Sequence, residues 1–409
     1  MNNEYDIAII GGGMAGASLA CCLADQPLRI AIIEQVSPEA DQQPSYDDRG
    51  LALALSSQRI LKAINVWQEL EPQAVPIRHI HISDKGRFGL VHLHAAELGL
   101  PALGYTVIAK HLGRALLHKT AALANVDFFC PATLTDIRNS ADSITLDYRQ
   151  DQQEHTLSCR LLVAADGTSS ATRTRLGITA RIKEYGQTAI VANISTANDH
   201  LNTAYERFTR QGPLALLPMA ENKCVSVYII ANDRAGHYLQ LDEPGYLDAL
   251  QQDFGKRLGR LLKVGNRKPY PVRLVQADRQ TSERAVLLGN AAHTIHPNGA
   301  QGFNLGLRDA AALAEHIVEA TGQRRDPGSN PLLEAYSRSR IEDQSRVVRF
   351  TDMIADLFYN DGLLEAAGRN LGMLLLDMSP TLKRRFVRHA TGLAGRQAAL
   401  VRGSAAVLR

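Results

Sequence analysis

The chain has 409 residues, 45% hydrophobic and 21% charged, which is ordinary globular usage and excludes a disordered chain or a fibrous repeat. Forty-five Lys and Arg stand against 42 Asp and Glu, a net charge of +3 that is too balanced for a protein held mainly by the charge of nucleic acid. The five cysteines (Cys21, Cys22, Cys130, Cys159, Cys224) form no CxxC pair, so zinc and disulfide frameworks are set aside and a reducing cytoplasm is expected.

Residues Ile7 to Ala24 carry no charge and would flag a membrane span on hydropathy alone. Glu4 and Asp6 precede the run, and Gly11 to Gly13 would break a spanning helix. The run reads instead as a buried strand, Asp6 to Ile10, a glycine turn, and a helix from about Met14. A second strand, Arg29 to Glu34, completes a βαβ start. Gly11-x-Gly13-x-x-Gly16 therefore follows a strand and opens a helix, with an acidic residue, Glu34, ending the next strand. In that context each part has a mechanical role. Gly11 makes the tight turn, Gly13 lets backbone approach a pyrophosphate, Gly16 lets helix and strand pack closely, and Glu34 accepts from a ribose. The motif alone does not separate NAD from FAD.

Further along, helices are expected over Ser56 to Leu70 and Leu112 to Ala124, and antiparallel strands over Ser143 to Tyr148 and Val225 to Ile230. Leu161 to Ala165 is a buried-strand pattern running into Asp166-Gly167-x-x-Ser170-x-x-Arg173. A later apolar strand from Ala285 ends at Gly289-Asn290, followed by His293, His296-Pro297 and Gln301-Gly302-Phe303-Asn304. From Pro331 the chain reads as mostly helical.

These three motifs, in this order and at these separations, resemble the flavoprotein aromatic hydroxylases of the para-hydroxybenzoate hydroxylase type, and within them the ubiquinone-biosynthesis hydroxylases. The likeness runs from Tyr5 to about Leu393. It implies an α/β fold with a Rossmann-like FAD-binding domain built from discontinuous segments (1–76, 105–181 and 273–330). A mixed β-sheet substrate domain (77–104 and 182–272) and a helical C-terminal region (331–409) complete the expectation.

The resemblance further implies FAD at Gly11, Gly13, Gly16 and Glu34, with Arg49 near the flavin. Asp166, Gly167, Ser170 and Arg173 match a segment that serves both FAD and the reduced pyridine nucleotide. Gly289 and Asn290 match the ribityl contacts, with asparagine where the family usually has aspartate. Pro297 would lie beside the isoalloxazine, and the Gly302, Phe303 and Asn304 backbone would face its N1 and C2 end. Gly113 stands where relatives often carry a flavin-contacting glutamine, leaving Arg114 as a candidate there.

The implied chemistry is NADH or NADPH as transient reductant, O2 as co-substrate, and a flavin hydroperoxide that passes one oxygen to a polyprenylated phenol. No dedicated base is identified. His293 and His296 lie nearest the flavin motif, and a structural role is the first reading for each. Alternatives are another phenol or ring position, a different flavin reaction such as double-bond reduction, and a non-catalytic flavin-bound scaffold.

Phe208, Leu214, Leu216, Leu217 and Pro218 either line an apolar substrate pocket or pack the core. Leu371 to Met378 is apolar, and Lys383, Arg384, Arg385, Arg388, Arg396, Arg402 and Arg409 follow with no acidic residue after Ser379. That tail reads as a contact for an anionic membrane or for other ubiquinone-biosynthesis proteins, or as a plain surface helix. The expected location is the cytoplasm, peripheral to the inner face of the membrane.

Overall fold

The computed structural model describes residues 3–37, 48–359 and 362–403. Its first sheet is parallel at the centre. Glu4–Ile10 lies between Ile30–Ile33 and Gln153–Ala164, so that Ile7 faces Ile30 on one side and Leu161 on the other. Val126–Phe129 and Ala285–Leu287 extend the two flanks in parallel. Residues 7–10 and 30–33 are buried at every position, because both faces of the sheet are covered and no alternation is required. Helices Met14–Cys22, Ala109–Ala121 and Gln301–Gly322 pack one face, while Ala132–Asn139 and Ile144–Gln150 curl over the other as an antiparallel extension.

The expected helix from Ser56 to Leu70 is two pieces, Leu55–Ala63 and Trp67–Leu70. Asn65 breaks it by taking a left-handed backbone at φ 58°, which asparagine tolerates better than most residues.

A second sheet, separate from the first, has the order 293–294, 268–277, 180–196, 223–231, 212–219, 203–209, 79–84, 90–94, with 261–264 also paired to 180–196. Only the 203–209 and 79–84 pair is parallel along that path. Strands 180–196 and 268–277 cross the segment boundaries expected from sequence, and His293–Thr294 comes from beyond them. One face of this sheet packs on Glu243–Phe254, burying Leu214, Leu216, Tyr228 and Ile230 against Tyr246, Leu250 and Phe254. The other face looks toward the first sheet. A small three-stranded sheet, Gly50–Ala54, Gly104–Ile108 and Val75–Ile77, stands between them.

The C-terminal helices are Asn330–Tyr359, Leu363–Met378 and Pro380–Ala390. Met373 and Val387 cover Val91 and Leu93 of the hairpin at 79–94. The chain then returns to the first core, where Leu400 and Val401 are buried. No helix among the described residues is long and apolar enough to cross a membrane. Arg409 lies outside the described residues.

Candidate active site

A cavity of about 670 Å³, within the usual size of ligand sites, opens between the two large sheets. Gly11, Gly13, Glu34, Arg49, Asp166, Gly167, Gly289, Asn290, Pro297, Gly302 and Phe303 all line it. Residues separated by almost 300 positions meet here because the central strand ends, at Ile10, Ile33 and Ala164, point into the same crevice.

Backbone geometry explains the glycines. Gly11 takes φ +104°, and a Cβ there would stand 2.5 Å from the Ala165 carbonyl oxygen. Gly16 does not line the cavity; a Cβ on it would strike the Gly11 carbonyl, so it serves close packing of helix on strand. Gly289, at φ +59°, sits between Ala15 and Gly306, drawing the starts of helices Met14–Cys22 and Gln301–Gly322 onto one point. Neither helix start carries a side-chain cap or an acidic residue in its first turn. Two uncapped, positive helix ends facing one cavity suit two separate centres of negative charge, a pyrophosphate and the N1 and C2 end of a reduced flavin ring.

Glu34 is buried and oriented by its own turn. Its carboxylate accepts from Gly12 N at 2.6 Å and Val36 N at 2.8 Å, leaving lone pairs for ribose hydroxyls. Asp166 accepts from the Ser170 hydroxyl and from Thr172 N at 3.0 Å, and Ser170 Oγ accepts from Arg173 N at 2.9 Å, so the two side chains cap the helix Ala171–Arg175. Arg173 turns inward and donates to Ala291 O at 2.8 Å and Thr168 O at 3.2 Å. Ser170 and Arg173 thus brace the Asp166 turn against the Gly289 turn and do not line the cavity.

Asn304 also falls outside the lining. Its side chain is fully used, accepting from Ala54 N and Ser57 Oγ and donating to Ala52 O and Ala300 O, all at 2.7–2.8 Å. It ties the helix start to the small sheet. Arg114 is exposed on its helix, away from the cavity.

Both candidate histidines are structural in position. His296 is 1% exposed; its Nε2 lies 3.4 Å from Gln187 Oε1, its Nδ1 accepts from Asn298 N, and Tyr185 meets its ring edge to face. Burial pushes it down to about 4 against the opposing pull of Asp352, so it is neutral at physiological pH and does not line the cavity. His293 Nε2 meets Asp309 Oδ2 at 2.5 Å, and Arg340 Nε reaches Asp309 Oδ1 at 2.6 Å. Burial raises the Asp309 carboxyl, but Arg340 and His293 more than offset this and hold it at about 2. Asp343 and Arg308 complete a buried charge network that pins the cofactor loop to the helix Asn330–Tyr359.

A family model described as an FAD binding domain matches residues 4–351. The ubiquinone hydroxylase UbiL of Rhodospirillum rubrum is 37% identical over 387 residues, covering 95% of this chain and 89% of that protein. The chain belongs to the FAD-binding ubiquinone hydroxylases. The 3-demethoxyubiquinol 3-hydroxylase of Escherichia coli is 30% identical, over 96% of this chain and the whole of that protein. In fold, p-nitrophenol 4-monooxygenase PnpA from Pseudomonas putida is similar over 97% of this chain with a TM-score of 0.81, at 18% identity. This hydroxylase is an FAD-dependent monooxygenase of ubiquinone biosynthesis, with NAD(P)H and O2 as co-substrates.

The far wall of the hydroxylase cavity comes from the second sheet: Ala189, Val191, Leu217, Val227, Tyr270, Pro271, Val272 and the charged Arg273. Of the five residues singled out in the sequence for a substrate pocket, only Leu217 is among them. Leu214 and Leu216 alternate to the opposite face and pack on Tyr246 and Phe254; Pro218 shares their parity, and Phe208 lies beyond the cavity. Sequence reading missed Tyr270, whose ring lies 5.2 Å from the Arg49 guanidinium. The alternation of Tyr270 and Val272 was the available signal.

Proposed function

We propose that the hydroxylase acts on the phenol ring of a polyprenylated ubiquinone precursor, 2-octaprenyl-6-methoxyphenol being the substrate assigned. The observation that carries this is the wall of the second sheet facing the two uncapped helix starts, apolar but for Arg273, a slot suited to a phenol ring held against a flavin. When bound, FAD reduced by NAD(P)H activates dioxygen and supplies the oxygen atom inserted into the ring.

In this reading the chain's residues have distinct tasks. Gly11, Gly13 and the Met14 helix start hold the pyrophosphate, and Glu34 accepts from the adenosine ribose. Gly289 and Asn290 follow the ribityl chain, with the Asn290 amide oxygen accepting from a hydroxyl. The Gly302 and Phe303 amides offset negative charge at the N1 end, and Pro297 flanks the ring. Asp166 and Ser170 shape the turn that presents Gly167, Arg173 braces it, Asn304 ties the Gln301 helix start to the small sheet, and Gly16 sets the helix position. Arg49, over Tyr270, supplies positive charge in the cavity wall.

The prenyl tail supports a membrane contact. Leu371, Leu374, Leu375, Met378 and Leu382 are exposed on the last helices, Met378 at 72%, beside exposed Arg384, Arg385 and Arg388. Lys383 instead pairs with Asp377 at 2.8 Å. An apolar band edged with arginine suits an anionic lipid surface in which the substrate dissolves.

The test is a spectrum for bound flavin, followed by NADH and NADPH oxidation under oxygen with a short-chain prenyl methoxyphenol and mass analysis of the extract. A product heavier by one oxygen atom supports the reading. Bound flavin with no oxygenated product from that phenol refutes the substrate assignment.

A further inference from the structure

Four of the 13 histidines stand in one hairpin, formed by the strands His79–Asp84 and Leu90–His94. The register sets His79 opposite His94 and His81 opposite His92, and period-two spacing puts all four rings on one face. The other face, with Ile80, Ile82, Val91 and Leu93, is the one covered by Met373 and Val387. The rings meet in pairs. His79 Nδ1 lies 2.7 Å from His94 Nδ1, with ring centroids 4.9 Å apart, and His81 Nδ1 lies 3.0 Å from His92 Nε2. All four residues are half-buried, so the strands fix the pairs while solvent still reaches them.

Packing alone does not require histidine at these positions. β-Branched residues, Tyr or Phe serve cross-strand contacts at least as well. What imidazole adds is a nitrogen lone pair, and two of them facing one point make a chelate. Bonds of about 2.0–2.1 Å at right angles place two nitrogen ligands about 2.8–3.0 Å apart. The separations of 2.7 and 3.0 Å are thus close to those of neighbouring ligands on one metal ion. The two pairs differ in their surroundings. His81 is the deeper, with Nε2 buried, Tyr205 against its ring, and Arg257 and Arg207 near enough to oppose a cation. Asp377, which accepts from His92 N, is already paired with Lys383. Beside His79 the opposing charge is Arg78 alone. No group of three or more His, Cys, Asp or Glu suited to a metal occurs among the described residues, so a site here has two protein ligands.

We infer that His79 and His94 form a two-nitrogen site for a divalent transition-metal ion, the Nδ1 atom of each ring being a ligand. The inference does not depend on which substrate the cavity takes. Without metal, one Nδ1 carries the hydrogen that the other accepts. On binding, that hydrogen is exchanged through solvent to Nε2 of the same ring, so both rings stay neutral and both Nδ1 lone pairs face the ion. Burial, then His94 and Arg78, hold His79 below the ordinary histidine value, which favours the neutral form that a metal needs. Water fills the remaining positions. Copper(II) suits the site best, since it takes imidazole ligands at right angles and stands at the top of the affinity order. A bound ion ties together the outer ends of two strands, 15 positions apart in the chain, on the side of the hairpin away from the C-terminal helices.

The test titrates tag-free, full-length, flavin-saturated protein with copper(II), reading the electron paramagnetic resonance spectrum and, by competition with a chelator, the dissociation constant. Wild type is expected to hold one ion per chain with splittings from two imidazole nitrogens. His79→Gln and His94→Gln, which keep a hydrogen-bonding side chain in the hairpin, are each expected to weaken binding by about 10-fold or more with flavin content intact. His81→Gln is expected to leave the constant unchanged. Zinc(II) is expected to bind more weakly than copper(II), and manganese(II) more weakly still. Independently of any variant, copper is expected to shield His79 and His94 of the wild type from diethyl pyrocarbonate, read by peptide mass. Wild-type binding no tighter than that of the H79Q/H94Q double variant overturns the inference, as does equal modification of the two histidines with and without copper. A loss in H81Q as large as that in H79Q would overturn it too, by putting the ion on the other pair.

Discussion

His296 makes the stability of the cofactor loop depend on pH, and the size of the effect follows from its burial. An ordinary histidine titrates near 6.5; in the folded protein His296 is held at about 4. Its folded value lies below its unfolded one, so its contribution is fully present above pH 6.5 and is lost as pH falls toward 4. The unfolded chain gains a proton over this range that the folded chain does not. At pH 5 the loss is about 2 kcal/mol, approaching about 3 kcal/mol below pH 4. Asp352, bonded by Lys183 and Tyr185, and Asp356 moderate the shift without cancelling it, while Lys183 adds to it.

The perturbation is His296→Gln, which retains an amide opposite Gln187 but has nothing to titrate. Urea unfolding of flavin-saturated protein, followed by the fluorescence of buried Trp67, would be recorded at pH 8 and pH 5 for both proteins. His81, held at about 4 first by burial and then by Arg257 and His92, adds a parallel decline common to both. The wild type is expected to lose about 2 kcal/mol more than the variant between the two pH values. Equal losses would show that His296 does not enter the folded state neutral, and the burial argument would fail.

Gly11→Ala forces a left-handed backbone on alanine, costing about 1–3 kcal/mol, and drives a methyl into Ala165. The purified variant is expected to be colourless, and a normal flavin spectrum would contradict the cradle described above. Asp309→Asn removes the anion shared by Arg340 and His293 inside the protein and is expected to cost about 3–5 kcal/mol in denaturant unfolding. A change below about 1 kcal/mol would mean that the network contributes little. Replacing Leu375 and Met378 together by glutamate is expected to abolish co-sedimentation with vesicles rich in anionic lipid while leaving flavin content intact, and unchanged sedimentation would remove the lipid-contact reading.

What the sequence made legible was local. Strand, glycine turn, helix and Glu34 lie within thirty residues, and each residue's role follows from backbone sterics that need no distant partner. The run from Gly289 to Asn304 was read through its resemblance to the hydroxylase motif rather than from local sterics. The functions of Ser170, Arg173 and Asn304 were not legible, since whether a polar side chain faces a ligand or a neighbouring carbonyl depends on what the other motif brings alongside. The second sheet hid more. In Thr203–Thr209 the residues Ala204, Glu206 and Phe208 share one face and Tyr205 and Arg207 the other, so neither face reads as apolar. Leu214, Leu216 and Leu217 look equivalent until Glu243–Phe254 covers one side and the cavity the other.

The parallel order of the first sheet also governs when this protein can become a flavoprotein. Glu4–Ile10 is made first, but its neighbours arrive at residues 30–33 and 158–164, and the second helix start converging on Gly289 begins only at Gln301. On the ribosome, the glycine turn therefore waits through most of synthesis with nothing to close over it. Cofactor capture is a late event that follows assembly of the distant segments. A nascent chain stalled or cleaved before that helix emerges carries the dinucleotide signature in its sequence without the assembled cavity, so bound flavin reports that the distant segments have come together.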